Sequence, residues 1–283
     1  MFVFQIISCL SFLVFKLTAG TSFGTASFTS QAAYREALNT ATPNFPSGFD
    51  FATAPIEFVP KESPTLGQMK MNVALLSFPP TTSYSIYLTK NVLCGAPISY
   101  IKQNILKTRP PVHSILINNK ISNVCTPTGV ADAQALCELV EKSRDANSGK
   151  TLPQSTGVIG WSLPVSEMTK AIPHLTSKPK EGTGDRSTPL DFATAIMTTD
   201  RFPKLRSTTI NDSIIMGCAK GAGMIEPNLG TMLSYVIMDL NIPKADFQKL
   251  TDDVIEQTFN CISVDGDEST SDTVVILSSN TGR

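Results

Sequence analysis

The sequence predicts a protein of mixed α and β structure. Stretches with strand composition alternate with stretches of helical periodicity, and no internal repeat is present. The 283 residues are 41% hydrophobic, which is enough apolar material for one large domain or two modest ones. Because the formal net charge is only −1, charge repulsion does not oppose the formation of a core, and disorder along the whole length is excluded.

The predicted elements follow from local composition. Five stretches are predicted to be strands, namely Asn72–Phe78, Ser83–Leu88, Val112–Asn118, Ile214–Cys218 and Thr273–Leu277. Three stretches have helical spacing of apolar residues, namely Gly129–Ser143 (Val130, Ala133, Leu136, Cys137 and Val140 on one face), Thr231–Leu240, and Asp246–Phe259 (Phe247, Leu250, Val254 and Thr258 aligned). Residues 175–188 are polar and are predicted to form a loop.

The N-terminal part of the chain has a composition of its own. Residues 1–20 form a hydrophobic leader whose apolar run, 2–15, is shorter than the roughly 20 residues that span a membrane. It is typical of the apolar region of a secretory signal, although the usual basic start is missing. A targeting or anchoring role is the favoured interpretation, and an N-terminal strand is the alternative. Residues 21–64 contain five prolines and are predicted to be an irregular lead-in.

Composition excludes several classes of function. The 23 basic residues are balanced by 24 acidic ones, which excludes strong phosphate-driven binding of nucleic acid. A Ser/His/Asp triad or a histidine-rich zinc site would need His113 or His174, the only two histidines, whereas a nucleophile that supplies its own base needs neither. The six cysteines form no CxxC pair and are predicted to be mostly buried free thiols.

The stretch Lys220–Leu233 concentrates groups that can do chemistry. Its first two glycines follow a predicted strand and allow the backbone to approach a ligand, and Lys220 can face an anionic group. The phosphate-loop pattern GxxxxGK[ST] is absent. If the bond between Gly230 and Thr231 is cut, the new α-amine of Thr231 can act as the base for its own hydroxyl. The alternative is that this pair only starts a helix.

Three further stretches have chemical potential. Ser155–Gly160 can present a hydroxyl and backbone N–H groups to an oxyanion, or be simply a strand that ends in a tight turn. Ala195–Asp200 is a strand-like run that ends in hydroxyls and a carboxylate. Ser263–Thr273 is acidic, but it lacks the DxDxDG spacing of a calcium loop, so Asp265-Gly266 is interpreted as a turn.

These four stretches occur together, in this order, in one known family. STGVIG at 155–160, the TTD run that ends at Asp200, KGAGMIEPNLGTML at 220–233 and the FN-ISVDGD run at 259–273 carry the resemblance. With a weaker match over Ile117–Ala133, the chain resembles the glutamate N-acetyltransferase family, also called ornithine acetyltransferase, of arginine biosynthesis. The resemblance covers residues 70–280.

The resemblance implies a fold and a division of the chain. The fold is an α/β protein, a layered α-β-β-α sandwich of the ornithine acetyltransferase and self-processing aminopeptidase type. Residues 65–230 are similar to the family's α chain and residues 231–283 to a truncated β chain. Because family members are longer, we expect the C-terminal domain, with a substrate-binding glutamate and an asparagine–threonine pair, to be missing from this sequence.

The resemblance also implies a reaction. Self-cleavage at Gly230-Thr231 would free Thr231 as the nucleophile that takes the acetyl group from N2-acetylornithine and passes it to glutamate. The products are ornithine and N-acetylglutamate. The Thr156 hydroxyl and the Gly157 backbone N–H would form the oxyanion hole.

Substrate binding is assigned in the same way. Lys220, Thr198 and Thr231 would bind substrate, with Thr199 as the competitor of Thr198. The sequence departs from the family pattern at Gly230, where alanine is usual. It also departs near residue 120, where Lys120, Ile121 and Pro127 replace glycine, asparagine and glycine, while Asn118, Asn123, Cys125 and Thr126 remain.

Partners and location are implied as well. The resemblance implies no metal and no resident cofactor, with acetyl-CoA as an alternative acetyl donor. The cleaved α and β chains would associate, as a heterotetramer by family, and no nucleic acid is involved. The location is mitochondrial by resemblance, or secretory or membrane-anchored if the leader functions. The alternatives to an active enzyme are an inactive truncated remnant and a related self-processing N-terminal-nucleophile amidohydrolase.

Overall fold

The chain folds into two compact units, each with one β-sheet and its own helices. The computed structural model describes residues 30–41, 45–144, 149–177, 187–226 and 232–282. Unit 1 contains the described residues within 1–49, 81–90 and 199–283, and unit 2 contains those within 50–80 and 91–198. The predicted α/β class is therefore confirmed, while the predicted leader, 1–20, lies outside the described residues.

Unit 2 is built on a four-stranded sheet. Its strands are β1 (Asp50–Phe58), β2 (Met69–Ser77), β4 (Val112–Asn118) and β5 (Lys150–Ser155). They lie in the order β1-β2-β4-β5, with β4 and β5 parallel and the other pairs antiparallel. Its helices are α2 (Ala96–Asn104), α3 (Gly129–Lys142), α4 (Val165–Thr176) and α5 (Pro189–Ala195).

Unit 1 is built on a five-stranded sheet. Its strands are β3 (Ser83–Leu88), β6 (Lys204–Ile210), β7 (Ser213–Lys220), β8 (Leu233–Met238) and β9 (Thr273–Ser278). They lie in the order β3-β9-β8-β7-β6, and only β8 and β9 are parallel. Its helices are α1 (Gln31–Ala41) and α6 (Lys244–Gln257), and α6 is followed by a 3₁₀ turn, Phe259–Cys261.

Each unit buries its own apolar core. In unit 2, Val73, Leu75 and Leu116 of the sheet pack against Leu136 of α3 and Ile172 of α4. In unit 1, the aligned face predicted for the last helix is correct, because Phe247, Leu250 and Val254 of α6 are buried against the sheet. Burial of these side chains is the main stabilising contribution to both units.

Several strands confirm the sequence-based boundaries. β3 and β4 begin and end at the predicted residues, and β2, β7 and β9 differ from prediction only at their ends. β4 is an apolar run that is buried along its whole length, the case in which composition alone marks a strand. Helix α3 is also confirmed, although Val130 is only partly buried.

The prediction of an irregular lead-in over 21–64 is wrong at two places. Helix α1 and strand β1 both lie within it. Pro55 is compatible with β1 because β1 is an edge strand, so a missing N–H can face away from β2. The prolines on either side of β1 interrupt the chain without preventing the strand.

The helix predicted over Thr231–Leu240 is also wrong. Residues 233–238 form β8, the strand between β7 and β9, and all six of its side chains are buried. A strand that is buried on both faces has no polar face, and its apolar run therefore lacks the alternation by which strands are recognised.

Two smaller corrections concern turns. Residue Ala195, the start of a run interpreted as strand-like, ends helix α5, whose capping box joins Thr188 and Asp191. The loop predicted over 175–188 begins later, because α4 continues to Thr176. Residues 178–186 of that prediction lie outside the described residues. No described helix has both the length and the apolar character needed to cross a bilayer.

The cysteine prediction is correct in one respect. The five described cysteines are all free thiols. Burial was overestimated, because only Cys137 and Cys218 are buried while Cys125 and Cys261 are exposed. The sixth, Cys9, lies outside the described residues.

Candidate active site

Gly230 and Thr231, the predicted cleavage site and nucleophile, lie outside the described residues. The description resumes at Met232, directly before β8. Both backbone polar groups of Met232 are held by adjacent residues. Its N–H donates to Asp272 Oδ1 at 2.6 Å, and its carbonyl oxygen accepts from the backbone N–H of Thr273 at 3.0 Å. The residue that follows Thr231 is therefore fixed against the start of β9.

Lys220 lies beside Met232 in unit 1. It is the last residue of β7, pairs with Leu233 of β8 and is 3% exposed. A cleft of about 180 Å³ opens here. Its lining among the described residues consists of Lys204, Ala219, Lys220, Gly221, Ala222, Ile225, Met232, Ile262 and Val264. The predicted lysine thus reaches the same cleft as the residue after the predicted nucleophile.

Two carboxyl groups face Lys220 and control its charge. Burial lowers the pKa of Lys220, and attraction to Asp200 and Asp272 partly offsets this, while Lys204 lowers it further. Asp200 has a fully buried side chain that accepts hydrogen bonds from Lys204 and from the Gly221 backbone at 2.8 Å. Asp200, the last residue of the TTD run, therefore fixes the backbone that follows Lys220.

Asp272 is the second carboxyl group. Burial raises its pKa to about 8, and the Ser269 hydroxyl, the Met232 N–H and Lys220 oppose that shift. The shifts of Asp272 and Lys220 both favour the uncharged forms, as expected for groups removed from water. A lysine whose pKa is lowered by burial carries more of the free amine at a given pH than an exposed lysine does.

The carboxylates of the acidic stretch near residue 265 bind nearby backbone and hydroxyl groups. Asp265 accepts hydrogen bonds from the backbone nitrogens of Met224 at 2.5 Å and Ile225 at 2.8 Å, which lower its pKa. Glu226 accepts from the Ser263 hydroxyl at 2.7 Å. No cluster of three or more potential metal ligands occurs among the described residues. The carboxylates therefore hold the glycine-rich turn that follows Lys220.

Thr156 and Gly157 lie in unit 2, directly after β5. The Thr156 N–H donates to the carbonyl of Asn118 at 3.1 Å, and Thr156 forms a β-bridge with Ile121. Gly157 has φ +132°, and a Cβ atom there would lie 2.1 Å from the carbonyl carbon of Lys120. Only glycine fits this position, because both its φ value and the neighbouring backbone exclude a side chain.

Thr156 and Gly157 differ in exposure, since Thr156 is only 5% exposed. Gly157 is exposed, and no described residue accepts a hydrogen bond from its N–H. The next two side chains, Val158 and Ile159, are also substantially exposed. An oxyanion hole needs donors that no protein group already occupies, and the Gly157 N–H meets that condition among the described residues.

Asn118 positions this turn, and Asn123 holds the loop before helix α3; neither has a role among the predicted site residues. Asn118 accepts a hydrogen bond from the Ser155 hydroxyl at 2.7 Å and donates to the Ile121 carbonyl at 2.7 Å. Asn123 donates to the Gly129 carbonyl at 3.0 Å and accepts from Thr126 at 2.8 Å. The only signal was their retention in a segment that otherwise departs from the family pattern.

Thr198 and Thr199 are both exposed and follow helix α5. The Met197 carbonyl accepts a hydrogen bond from Asn119 Nδ2 at 2.8 Å. Asn119 is the neighbour of Asn118, so the segment before Thr198 is tied to the loop that holds Thr156. Within unit 2, hydrogen bonds therefore connect the segment before Thr198, predicted to bind substrate, with the loop that holds Thr156, predicted to be in the oxyanion hole. Thr199 belongs to unit 1.

Comparisons with known proteins agree on one family. The model of the ArgJ family matches residues 63–283. The arginine biosynthesis bifunctional protein ArgJ of Nitratidesulfovibrio vulgaris is 37% identical over 237 residues, which cover 81% of this chain and 56% of that protein. The mitochondrial ArgJ protein of Aspergillus oryzae is 37% identical over 216 residues, which cover 73% of this chain and 46% of that protein.

A solved structure is also similar. The crystal structure of ornithine acetyltransferase from Mycobacterium tuberculosis, complexed with ornithine, is 24% identical in sequence, with a TM-score of 0.48. The match covers 66% of this chain and 94% of the chain in that structure. This chain spans about half the length of the curated relatives that it matches. Since the family model covers most of the chain and curated relatives share more than a third of the aligned residues, the chain belongs to the ArgJ family.

Proposed function

We propose that this chain performs the acetyl transfer from N2-acetylornithine to glutamate, with Thr231 as the nucleophile after self-cleavage at Gly230-Thr231. The observation that carries the proposal is the cleft of unit 1. There a buried Lys220 lies beside Met232, the residue that follows Thr231 in the chain. Family membership supports the reaction class.

Self-cleavage begins with attack of the Thr231 hydroxyl on the carbonyl carbon of Gly230. The C–N bond breaks, the nitrogen takes the hydroxyl proton, and an ester forms between the Gly230 carbonyl and Thr231 Oγ. Water then hydrolyses the ester and leaves a free α-amine on Thr231. Glycine at position 230 leaves the attacked carbonyl sterically open.

Acetyl transfer uses the same hydroxyl twice. Thr231 Oγ attacks the acetyl carbonyl of N2-acetylornithine, and the α-amine takes the hydroxyl proton and then protonates the departing ornithine amine. The α-amine of glutamate attacks the acetyl ester and restores the hydroxyl. In each tetrahedral state the Thr156 hydroxyl and the Gly157 N–H would donate to the oxyanion.

The remaining residues are assigned to binding. Lys220 would bind substrate at the cleft, and Thr198 would do so from the segment tied to Asn119. Thr199 is the competing assignment for Thr198. No resident cofactor or metal enters this mechanism, because the base is the nucleophile's own amine, and acetyl-CoA is the alternative acetyl donor to be tested.

The proposal extends to the assembly and its location. Cleavage would separate 65–230 from 231–283, which would stay associated as α and β chains and pair into a heterotetramer. We propose a mitochondrial location, because the similar ArgJ protein of Aspergillus oryzae is mitochondrial. Imaging of a tagged chain tests this, and secretion of the tag would favour the leader as a signal.

Intact mass spectrometry tests the cleavage. The purified chain is expected to give two products that divide between residues 230 and 231, and the Thr231→Ala variant is expected to stay whole. Thr209→Ala is the matched control, because Thr209 is exposed on β6 outside the cleft. An uncut wild-type chain would contradict the proposal and favour an inactive remnant.

A transfer assay tests the reaction itself. The cut chain is incubated with N2-acetylornithine and isotopically labelled glutamate, and labelled N-acetylglutamate is measured. Trapped acetylated 231–283 product is expected when glutamate is omitted, because the mechanism passes through an acetyl ester. Cleavage with hydrolysis of the donor and no transfer to glutamate would favour the amidohydrolase alternative.

A further inference from the structure

Asp272 has no role in the mechanism above, although it contacts the residue after the nucleophile. Asp272 is 2% exposed and lies directly before β9. Oδ1 accepts the Met232 N–H at 2.6 Å, and the neighbouring Thr273 N–H donates to the Met232 carbonyl. Two consecutive residues therefore hold both backbone polar groups of Met232, at the point where β8 and β9 begin to pair in parallel.

A hydrogen bond to Met232 N–H constrains more than that nitrogen. The peptide group is planar, so the direction of this N–H and the carbonyl carbon of the preceding residue share one plane. The preceding residue is Thr231. A group that fixes the Met232 N–H thus limits the orientations available to the backbone that carries the proposed nucleophile.

The cost of burying this carboxyl group argues against a purely structural explanation. Oδ2 is buried, and no described residue makes a hydrogen bond of good geometry to it, although the Ser269 hydroxyl lies near the carboxyl group. The charged groups that face Asp272 are Lys220 at the end of β7 and Glu268 on its own loop, and Lys220 in turn faces Asp200 and Lys204. A neutral acceptor would satisfy Met232 N–H without exposing an acid to this desolvation.

We propose that Asp272 is a positioning residue for the threonine chemistry, and that its carboxylate holds the Met232 backbone in the orientation that cleavage and acetyl transfer need. The role rests on the proposed function of Thr231. The charged form does this best, because a carboxylate accepts a stronger hydrogen bond from an N–H than a neutral oxygen does.

Matched substitutions separate this role from general stability. Asp272→Asn keeps the size and an acceptor oxygen but removes the charge. Asp239→Asn is the control, because Asp239 is a buried aspartate at the opposite end of β8. It also accepts backbone hydrogen bonds, from Ile214 at 2.8 Å and Ser47 at 3.1 Å. Thermal unfolding of both variants shows that each has folded.

To measure the cleavage rate, the full chain is made by cell-free translation. Translation is then stopped, and the chain is transferred to buffers that range from acidic to alkaline pH. Mass spectrometry follows the appearance of the 231–283 product over time. We expect Asp272→Asn to slow cleavage by about tenfold or more, given the strength of charge-assisted hydrogen bonds, and Asp239→Asn to cleave like wild type. The wild-type rate should rise as Asp272 loses its proton, and that rise should be absent in Asp272→Asn.

The outcomes are distinguishable. Wild-type cleavage with an unchanged rate and pH profile in Asp272→Asn would overturn the positioning role and leave the proposed function intact. An equal loss in Asp239→Asn would also overturn it, since the effect would then be one of stability. A wild-type chain that never cleaves would contradict the proposed function, and the role of Asp272 with it.

Discussion

Asn118 Oδ1 accepts a hydrogen bond from the Ser155 hydroxyl at 2.7 Å, and this contact joins the end of β4 to the end of β5 beside Thr156. Both side chains are almost completely buried. The same asparagine donates to the Ile121 carbonyl, so it links the loop after β4 to the turn that presents Gly157. The proposed oxyanion hole is therefore held by a side chain with no chemical role of its own.

Replacing Asn118 should damage this turn. In Asn118→Ala, the Ser155 hydroxyl and the Ile121 carbonyl lose their partners inside the protein, which costs about 1–3 kcal/mol per buried group. Urea denaturation should show a lower free energy of unfolding than in Ser155→Ala, which leaves the Asn118–Ile121 bond in place. Equal losses in the two variants would contradict the linking role of Asn118.

Gly157 provides a sharper test of the same turn. A Cβ at Gly157 would lie 2.1 Å from the Lys120 carbonyl carbon, whereas a Cβ at Gly160 meets nothing within 4 Å, although both residues have positive φ. Gly160→Ala should therefore lose only the strain energy of its conformation, about 1–2 kcal/mol. Gly157→Ala should lose more, because the backbone around Lys120 must move as well. Denaturation midpoints measure both, and similar losses would contradict this explanation.

Some of this architecture could be predicted because it follows from local composition. β4 and α3 have an apolar run and a helical spacing that mark them without knowledge of their neighbours. β8 could not be recognised, since it is a strand only because β7 and β9 lie on either side of it. That pairing depends on residues distant in sequence, which a local pattern does not contain.

The candidate site likewise has residues that the local sequence identifies and residues that it does not. Lys220 could be identified because it stands at the junction of a strand and a glycine-rich turn. The part played by Asp272 could not, because its partner Met232 is 40 residues away along the chain. Sequence spacing indicates which groups are chemically capable, and the parallel pairing of β8 with β9 decides which of them meet.

The raised pKa of Asp272 predicts a pH-dependent stability. Its pKa is about 8 in the folded chain against 3.8 for the ordinary carboxyl group. Between these values the folded chain holds a proton that the unfolded chain has released, so this group lowers the free energy of unfolding as pH rises. Asp272→Asn lacks that titration, and its stability relative to wild type should increase from about pH 4 to about pH 8 and then level off.

Urea denaturation of both chains at several pH values measures this difference. Lys220 loses the attraction of Asp272 in the variant, which lowers its pKa further and changes the difference in the same direction. His113 has a pKa lowered to about 4 by burial, and because it is present in both chains, its contribution cancels. A stability difference between the two chains that stays constant from about pH 4 to about pH 8 would contradict the raised pKa of Asp272.

Gln154 gives a prediction in which losing a polar group helps the fold. Gln154 lies in β5, where it pairs with Ile117 of β4, and it is 1% exposed. Neither its Oε1 nor its Nε2 has a hydrogen-bond partner among the described residues. A buried amide without partners loses its hydration and gains nothing in return. Gln154→Met keeps the length of the side chain and removes both polar atoms, so the free energy of unfolding should rise by about 1 kcal/mol.

The matched control for this substitution is Gln248→Met. Gln248 accepts from the Ser85 hydroxyl at 3.2 Å and donates to Asp252 at 2.8 Å. The same chemical change there removes hydrogen bonds that exist, and it should lower the free energy of unfolding by about 0.5–1.5 kcal/mol. Opposite signs for the two variants, measured by urea denaturation, are expected because the outcome depends on whether the amide has partners. A loss of stability in Gln154→Met would show that its amide is hydrogen-bonded in the folded protein, for instance to buried water.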